Sequence, residues 1–332
     1  MELKPGKIPE NILKRSVLGK ISGKRPEVLL GSGVGEDCCV LAHCSDEVFV
    51  MSTDPITAAE KNTGDLAVLV TANDLASAGA EPVGILLTVL LPVGTTEEDI
   101  SSLMGEVTDK CRELSIEIMG GHTEITDVVK KPLLSVTGVG KCPKDRVITT
   151  GGAKPGMDLI VTKAIGLEGT SIIASEHRKE LLTKLPADLI DRAASFINEI
   201  SVVEDGLTAA AAGASAMHDV TEGGIYGALW ELAEASDVGL DCDLKKIPIR
   251  QETVEICEFY GIDPYRLISS GSMLIAAKDG NGVIEALKEK GIAASYIGRT
   301  TAGKDRVIRY DDTARFLTPP DIDELHKVPA SK

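Results

Sequence analysis

The sequence is poor in the features that most directly announce a partner. Only 3% of its 332 residues are aromatic, with a single Trp, which leaves little to stack bases upon. Lys plus Arg total 35 against 51 Asp plus Glu, and no basic run interrupts a net charge of -16. Nucleic acid, itself a polyanion, is therefore excluded as the expected partner. The longest apolar stretch, Val83 to Val93, contains Gly, Thr and Pro and is too short to cross a bilayer. No charged-then-apolar leader opens the chain, so the expectation is a cytoplasmic protein with no membrane partner. Cys38, Cys39, Cys44, Cys111, Cys142, Cys242 and Cys257 form no C-x-x-C pair and are odd in number. Reduced thiols are expected, not a disulfide framework or a zinc site; a reactive thiol at Cys38 or Cys39 is the alternative.

What is present points to an α/β enzyme. The chain has 33 Gly and is 43% hydrophobic, long enough for two domains that each bury a core. Leu29-Leu30-Gly31-Ser32-Gly33-Val34-Gly35-Glu36-Asp37 sets three glycines at alternate positions between an apolar run and an acid pair. Such a loop can press backbone N–H groups against an anion, and Asp37 is the kind of ligand that holds Mg²⁺ beside phosphates. A plain turn between strands is the other reading, since the loop lacks both the Gly-Lys-Ser/Thr ending of a P-loop and Gly-x-Gly-x-x-Gly spacing. Lys20, Lys24 and Arg25 precede it and are either solvated or in reach of phosphate.

Along the chain, the pattern predicts a first helix over Pro9 to Lys20 and a short strand, Glu47 to Met51, that delivers Ser52-Thr53-Asp54 at its end. A helix over Asp65 to Ala78, closed by Gly79, carries the polar pair Asn73-Asp74 among small apolar residues. Val83 to Leu91 reads as a strand covered on both faces. Thr95 or Thr96 caps the next helix. A strand over Ser115 to Met119 then ends in the polar turn Gly120-Gly121-His122-Thr123-Glu124. After a strand over Leu133 to Val139, residues 141–155 have linker chemistry, which places domains at 1–150 and 151–332. The second half alternates again, with a strand over Asp158 to Thr162 and helices over Gly169 to His177, Asp188 to Ile200 and Glu204 to Ala212. Ala214 to Met217 runs into His218-Asp219-Val220-Thr221-Glu222-Gly223-Gly224 and a helix through Ala235, with Thr221 as its N-cap and exposed N–H groups suited to an anion. A helix over Gln251 to Phe259, a strand over Met273 to Ala277 and a helix over Asn281 to Lys290 follow.

In this order and spacing the motifs resemble the superfamily of aminoimidazole ribonucleotide (AIR) synthetase, thiamine-monophosphate kinase, selenophosphate synthetase and the hydrogenase maturation protein HypE. The resemblance runs from Gly33 to Asp37 through Ser52-Thr53-Asp54, Asn73-Asp74-Leu75-Ala76, Gly79-Ala80-Glu81-Pro82 and Gly120 to Glu124, then Gly152-Ala153-Lys154-Pro155-Gly156 and Asp219 to Gly224. It implies a two-domain AIR synthase-like α/β fold whose N-terminal mixed sheet joins a second copy in a barrel across a homodimer. It also implies ATP and Mg²⁺ as cofactors, with Asp37, Asp54 and Asp74 on the metal and Gly33, Gly35, Thr53, Asn73, Gly120, Gly121 and Thr123 on the nucleotide. Three converging carboxylates repel one another unless cations neutralise them, which agrees with a metal; for each Asp by itself a turn or cap residue is the favoured reading.

Within the superfamily the residues form a mosaic. Asp219-Val-Thr-Glu-Gly-Gly is similar to the Asp-Pro-Thr-Arg-Gly-Gly of HypE, with Glu222 reversing the charge of the Arg. Gly120-Gly121-His122 resembles selenophosphate synthetase, where the kinase and HypE have Asp in place of His122. The resemblance therefore implies a HypE-like enzyme that phosphorylates an oxygen of a small-molecule or protein-borne acceptor, with His122, Asp219 and Glu222 as catalytic candidates. His122 is a general base, a phosphate contact or a loop His fixed by hydrogen bonds. A small-molecule kinase and an ATP-binding assembly factor for hydrogenase maturation that does not turn over are the alternatives. HypE carries its carbamoyl group on a C-terminal Cys, whereas this sequence ends Pro329-Ala330-Ser331-Lys332 and its last Cys is Cys257. The cyanide-forming step on its own C-terminus is therefore not expected.

Overall fold

The computed structural model describes residues 6–7, 12–23, 25–30, 40–41, 46–56, 62–319 and 322–329. The glycine loop, with Gly33, Gly35, Asp37, Cys38 and Cys39, lies outside them, as do Lys24 and Cys44. The chain divides into two compact units, residues 1–75 with 80–145 and residues 76–79 with 146–332. Among the described residues no helix is long and apolar enough to cross a membrane.

The first unit contains β1 (Gly6–Lys7), the paired β2 (Val28–Leu30) and β3 (Val40–Leu41), β4 (Glu47–Ile56), helix α1 (Thr63–Ser77), β5 (Glu81–Pro92), α2 (Glu97–Glu113), β6 (Glu117–Thr126) and β7 (Leu133–Pro143). Its main sheet has the order β1-β6-β5-β7-β4, with β5 parallel to β6 and the other pairs antiparallel. The Thr96 side chain caps α2 in a reciprocal box with Asp99, as the acid-rich first turn predicts. Ile12 to Lys20 is helical but irregular, a π-type turn followed by a 3₁₀ turn.

Two strands are longer than their apolar runs suggest. β4 continues past Met51 to Ile56, so Ser52, Thr53 and Asp54 lie inside the strand and not in a loop beyond it. Its pairing with β7 holds through Thr53↔Thr137 and Asp54↔Val136, and Pro55 is tolerated because β4 is an edge strand. β6 likewise runs through Gly120 to Glu124, where a turn is expected from the glycines. β5 is covered on one face only: Ile85, Leu87, Val89 and Leu91 are buried, whereas Leu86, Thr88 and Leu90 are not fully so. The covering layer is helical, since a Cβ on Gly138 of β7 would meet Thr71 and Leu75 of α1, and one on Gly64 of α1 would meet Leu103 and Glu106 of α2.

The second unit contains β8 (Asp158–Thr162), α3 (Leu167–Glu176), α4 (Arg178–Leu181), α5 (Ala187–Ala194), α6 (Val203–Ala211), β9 (Ala214–Asp219), α7 (Gly224–Ala235), β10 (Gly239–Asp243), α8 (Gln251–Tyr260), β11 (Met273–Ala277), α9 (Gly280–Glu289), β12 (Ala294–Thr301), β13 (Arg306–Tyr310) and β14 (Thr313–Phe316). They build a seven-stranded sheet in the order β14-β13-β10-β12-β8-β11-β9. The centre is buried on both faces, which is why Asp158 to Thr162 and Met273 to Ala277 read as continuous apolar runs. Leu159 and Val161 pack with Ile225 and Leu229 of α7, while Ile160 between them packs with Val283 and Leu287 of α9.

Candidate functional site

The strand register sorts the predicted site residues of the first unit onto two faces. Successive side chains of a strand point oppositely, so Thr53 and Asp54 cannot face the same ligand from the same side. Asp54 shares the helix-covered face with Ser52, and there the two meet Asp74 of α1. The Ser52 hydroxyl donates to Asp74 Oδ2 at 2.5 Å and lies 3.4 Å from Asp54 Oδ2. A hydroxyl carries one hydrogen, so two partly buried carboxylates bracket a single donor. That donor set fits a hard dication: Mg²⁺ takes one or two carboxylates and completes its shell with water and phosphate oxygens. Among the described residues no group of three or more His, Cys, Asp or Glu converges to hold a metal, and Asp37 lies outside them.

Asn73 and Thr123 are buried in this unit, with Asn73 wholly inaccessible. Gly121 is exposed and is paired with Leu87 across the parallel β5–β6 register. Its φ of +154 and the 1.9 Å that would separate a Cβ from the Leu87 carbonyl oxygen demand glycine for backbone fit alone. Gly120 has no such neighbour: a Cβ there meets only Leu86 Cδ2 at 3.4 Å.

The open face carries the rest. Thr53 lies opposite Thr137, whose hydroxyl donates to Thr53 Oγ1 at 2.9 Å. Thr137 is paired with Leu86, and two residues on, Thr88 is paired with His122. His122 Nε2 is 3.3 Å from Glu124 Oε2, which fixes the ring along the same strand. Thr53 and His122 therefore share one surface, turned away from Asp54 and Asp74.

In the second unit Asp219 ends β9 and is buried, while Glu222 is exposed. Helix α7 begins at Gly224 with Gly223 as its cap, not at Thr221, because Gly223 and Gly224 both adopt left-handed angles (φ +81 and +63) that extend the turn by two residues. A Cβ on Gly224 would fall 2.6 Å from the Tyr265 carbonyl oxygen, so the approach needs glycine. The helix start is not an open anion site either: the Gly223 N–H donates to Asp323 Oδ2 at 2.7 Å, and both groups are buried. Glu168, also buried, accepts from the Ser270 N–H. Burial pushes its carboxyl up to about 7, with the Asp323 and Asp219 charges adding to the rise and the Ser270 hydrogen bonds opposing it.

The AIR synthase related protein N-terminal domain model matches residues 35–142, and the AIR synthase related protein C-terminal domain model matches residues 154–311. The chain belongs to this AIR synthase related family. It is 29% identical over 314 residues, 91% of this chain and 90% of the relative, to a Methanocaldococcus jannaschii protein named for hydrogenase expression/formation. It is 29% identical over 264 residues to the carbamoyl dehydratase HypE of Rhizobium leguminosarum bv. viciae, covering 76% of this chain and 73% of that protein. In three dimensions it is similar to a hydrogenase maturation protein HypE solved in complex with ATP, with a TM-score of 0.76, 20% identity and 95% of each chain covered. The two-domain AIR synthase fold is thereby shown.

Seen as a family member, the chain brings together Asp54 and Asp74 and keeps Thr53 and His122 apart from them. Ser52, Glu168 and Asp323 escaped the reading of the sequence. Ser52 stands in the Ser52-Thr53-Asp54 motif but is joined to Asp74 only by folding, and Glu168 was signalled by an acid set between Gly166 and Gly169 just after β8. Asp323 lies a hundred residues from its partner and gave no local sign.

Proposed function

We propose that this AIR synthase family protein is an ATP-dependent, Mg²⁺-requiring cytoplasmic enzyme that phosphorylates an oxygen of its acceptor, turning that oxygen into a leaving group. The observation that carries the reading is the Asp54–Ser52–Asp74 cluster. Asp54 and Asp74, joined by Asp37, would hold Mg²⁺, and the bound ion would neutralise charge on the phosphates. The residues of the chain do the rest by position: Ser52, inside β4, holds the Asp74 carboxylate, and the glycine loop with Gly33 and Gly35 would supply N–H groups to phosphate. Phosphoryl transfer asks mainly for alignment and charge stabilisation, which such a cluster can provide.

Thr53 and His122, on the opposite face, are assigned to the surface that a second copy covers in a homodimer. Exposed Met51 and the partly exposed Leu86 and Leu90 support that reading, since they set large apolar side chains among the polar groups of this face. Of the two candidates in the second unit, exposed Glu222 is the one open to an acceptor, since Asp219 is buried. Likeness to proteins named for hydrogenase formation and to carbamoyl dehydratases supports hydrogenase maturation as the setting and a carboxamide oxygen as the acceptor. The described cysteines do not serve as the carrier: Cys111 and Cys257 are pushed up to about 12 by burial, and Cys142 and Cys242 are raised by the same cause. Among the described residues, then, no thiol carries the acceptor group.

The test is phosphate release from ATP and Mg²⁺ in the presence of candidate acceptors, among them S-carbamoyl thiol peptides. Acceptor-stimulated turnover is expected. ATP bound without hydrolysis across every acceptor would replace this reading with that of a non-catalytic assembly factor.

A further inference from the structure

Lys163, in the second unit, has three unusual properties at once. It follows the central strand β8 directly and holds φ at +53, a left-handed angle that a lysine adopts only when its surroundings impose it. Its N–H is tied to the Ala293 carbonyl at 2.7 Å, which fixes the turn. Its amine is withdrawn from solvent, with 16% of the side chain exposed, on the wall of a cavity of about 530 Å³.

Five of the ten residues that line the cavity are charged: Lys163, Glu199, Glu204, Asp205 and Arg250. Lys163 Nζ donates to the Ser201 carbonyl and to Asp205 Oδ2 at 3.2 Å. Asp205 is buried at the start of α6, and its other oxygen, Oδ1, accepts no hydrogen bond while lying 3.2 Å from Nζ. Arg250 places its guanidinium fork on Glu199, and Glu204 completes the rim. Burial pushes the Lys163 ammonium below the ordinary lysine range, and the Arg250 charge acts in the same direction; Asp205 and Glu199 oppose without reversing it. A buried amine beside a second cation is the arrangement by which enzymes make a lysine nucleophilic at neutral pH.

We propose that Lys163 is a nucleophilic modification site, which accepts an acyl group from a small acyl phosphate entering this cavity. The amine lone pair attacks the acyl carbon, and a C–N bond forms as the C–O bond to phosphate breaks. Phosphate leaves with that electron pair, and the proton lost from nitrogen passes to Asp205 Oδ1 and on to solvent. Arg250, which spends two N–H donors on Glu199, has further donors of the kind that hold a phosphate oxygen. The acyl amide carries no charge, so acylation would break the Lys163–Asp205 pair and leave Asp205 as a buried, uncompensated carboxylate. The inference does not depend on the phosphoryl-transfer reading.

The experiment treats the full chain with acetyl phosphate near pH 7 and follows each lysine by peptide mass mapping, in buffer and in urea. A lowered pKa leaves more of the amine free at neutral pH, so Lys163 is expected to react severalfold faster than the median lysine in the folded protein. That excess should vanish in urea, and Lys163→Arg should remove this adduct while the other lysines react as before. A purely structural ion pair predicts the reverse order, with Lys163 protected in the folded state and faster in urea. Lys163 reacting no faster folded than unfolded would overturn the proposal.

Discussion

Ser52 and Asp74 are joined by a hydroxyl-to-carboxylate hydrogen bond of 2.5 Å, which ties the edge strand of the first unit to the helix that covers it. The same hydroxyl oxygen is 3.4 Å from Asp54, so it is the one neutral group between two like charges. Ser52→Ala should lower the stability of the metal-free protein by about 1.5–3 kcal/mol, the worth of a hydrogen bond to a charged group. Added Mg²⁺ should recover much of this loss, because a cation relieves the repulsion that the hydroxyl had softened. Thermal unfolding with and without Mg²⁺ checks this; an Mg²⁺-induced shift no larger in the variant than in the wild type contradicts it.

The two glycines of Gly120-Gly121 should respond differently to the same substitution. Gly121→Ala drives a Cβ to 1.9 Å from the Leu87 carbonyl oxygen and should cost at least about 3 kcal/mol or prevent folding. Gly120→Ala meets Leu86 Cδ2 at 3.4 Å and should fold normally. Equal losses of soluble protein for the two variants would show that the strand register assigned here is wrong.

Glu168 makes the stability depend on pH in a direction opposite to most acids. Its carboxyl rises from 4.5 to about 7 on folding, chiefly through burial, so the folded state binds the proton more tightly than the unfolded chain. Stability is full below pH 4.5 and falls as pH rises through the window up to about 7. The decline amounts to roughly 3 kcal/mol at most. Glu168→Gln, which stays neutral, should flatten that slope and raise stability at pH 8. Urea titrations at several pH values decide it, and an unchanged slope refutes the assignment.

Asp323 is the acceptor for the Gly223 N–H at 2.7 Å and for the Leu325 N–H at 2.8 Å. Asp323→Ala strands a buried donor at the start of α7 and should cost about 1–3 kcal/mol. Asp323→Asn keeps an acceptor oxygen and should cost less. Chemical denaturation of the two variants gives the comparison, and equal losses would mean that the bond to Gly223 contributes nothing.

The repeating α/β pattern, the capped helix after Thr96 and the buried central strands were legible because each is written in local periodicity. The ends of β4 and β6 were not. Ser52 to Ile56 and Gly120 to Thr126 have the polar and glycine content of turns, and only pairing with β7 and β5 makes them strand. The consequence reached the site, since a loop can aim Thr53 and Asp54 at one ligand whereas a strand turns them to opposite faces. The Asp54 and Asp74 carboxylates were legible as candidates from the motifs, but Ser52 between them is a tertiary fact. The start of α7 was misplaced for a similar reason. Thr221 is a good cap by residue type, and two left-handed glycines made possible by tight packing against Tyr265 override it. Glu168 and Asp323 meet the Asp219 turn only through folding of distant segments.

The most direct measurement of the central claim is calorimetric titration of ATP into the wild type, Asp54→Asn and Asp74→Asn, each with Mg²⁺ and with chelator. The account predicts Mg²⁺-dependent binding by the wild type and a loss of about tenfold or more in each variant, as removal of one metal carboxylate requires, with circular dichroism and solution mass unchanged. ATP affinity that is the same in all three proteins, or that does not depend on Mg²⁺, would contradict it.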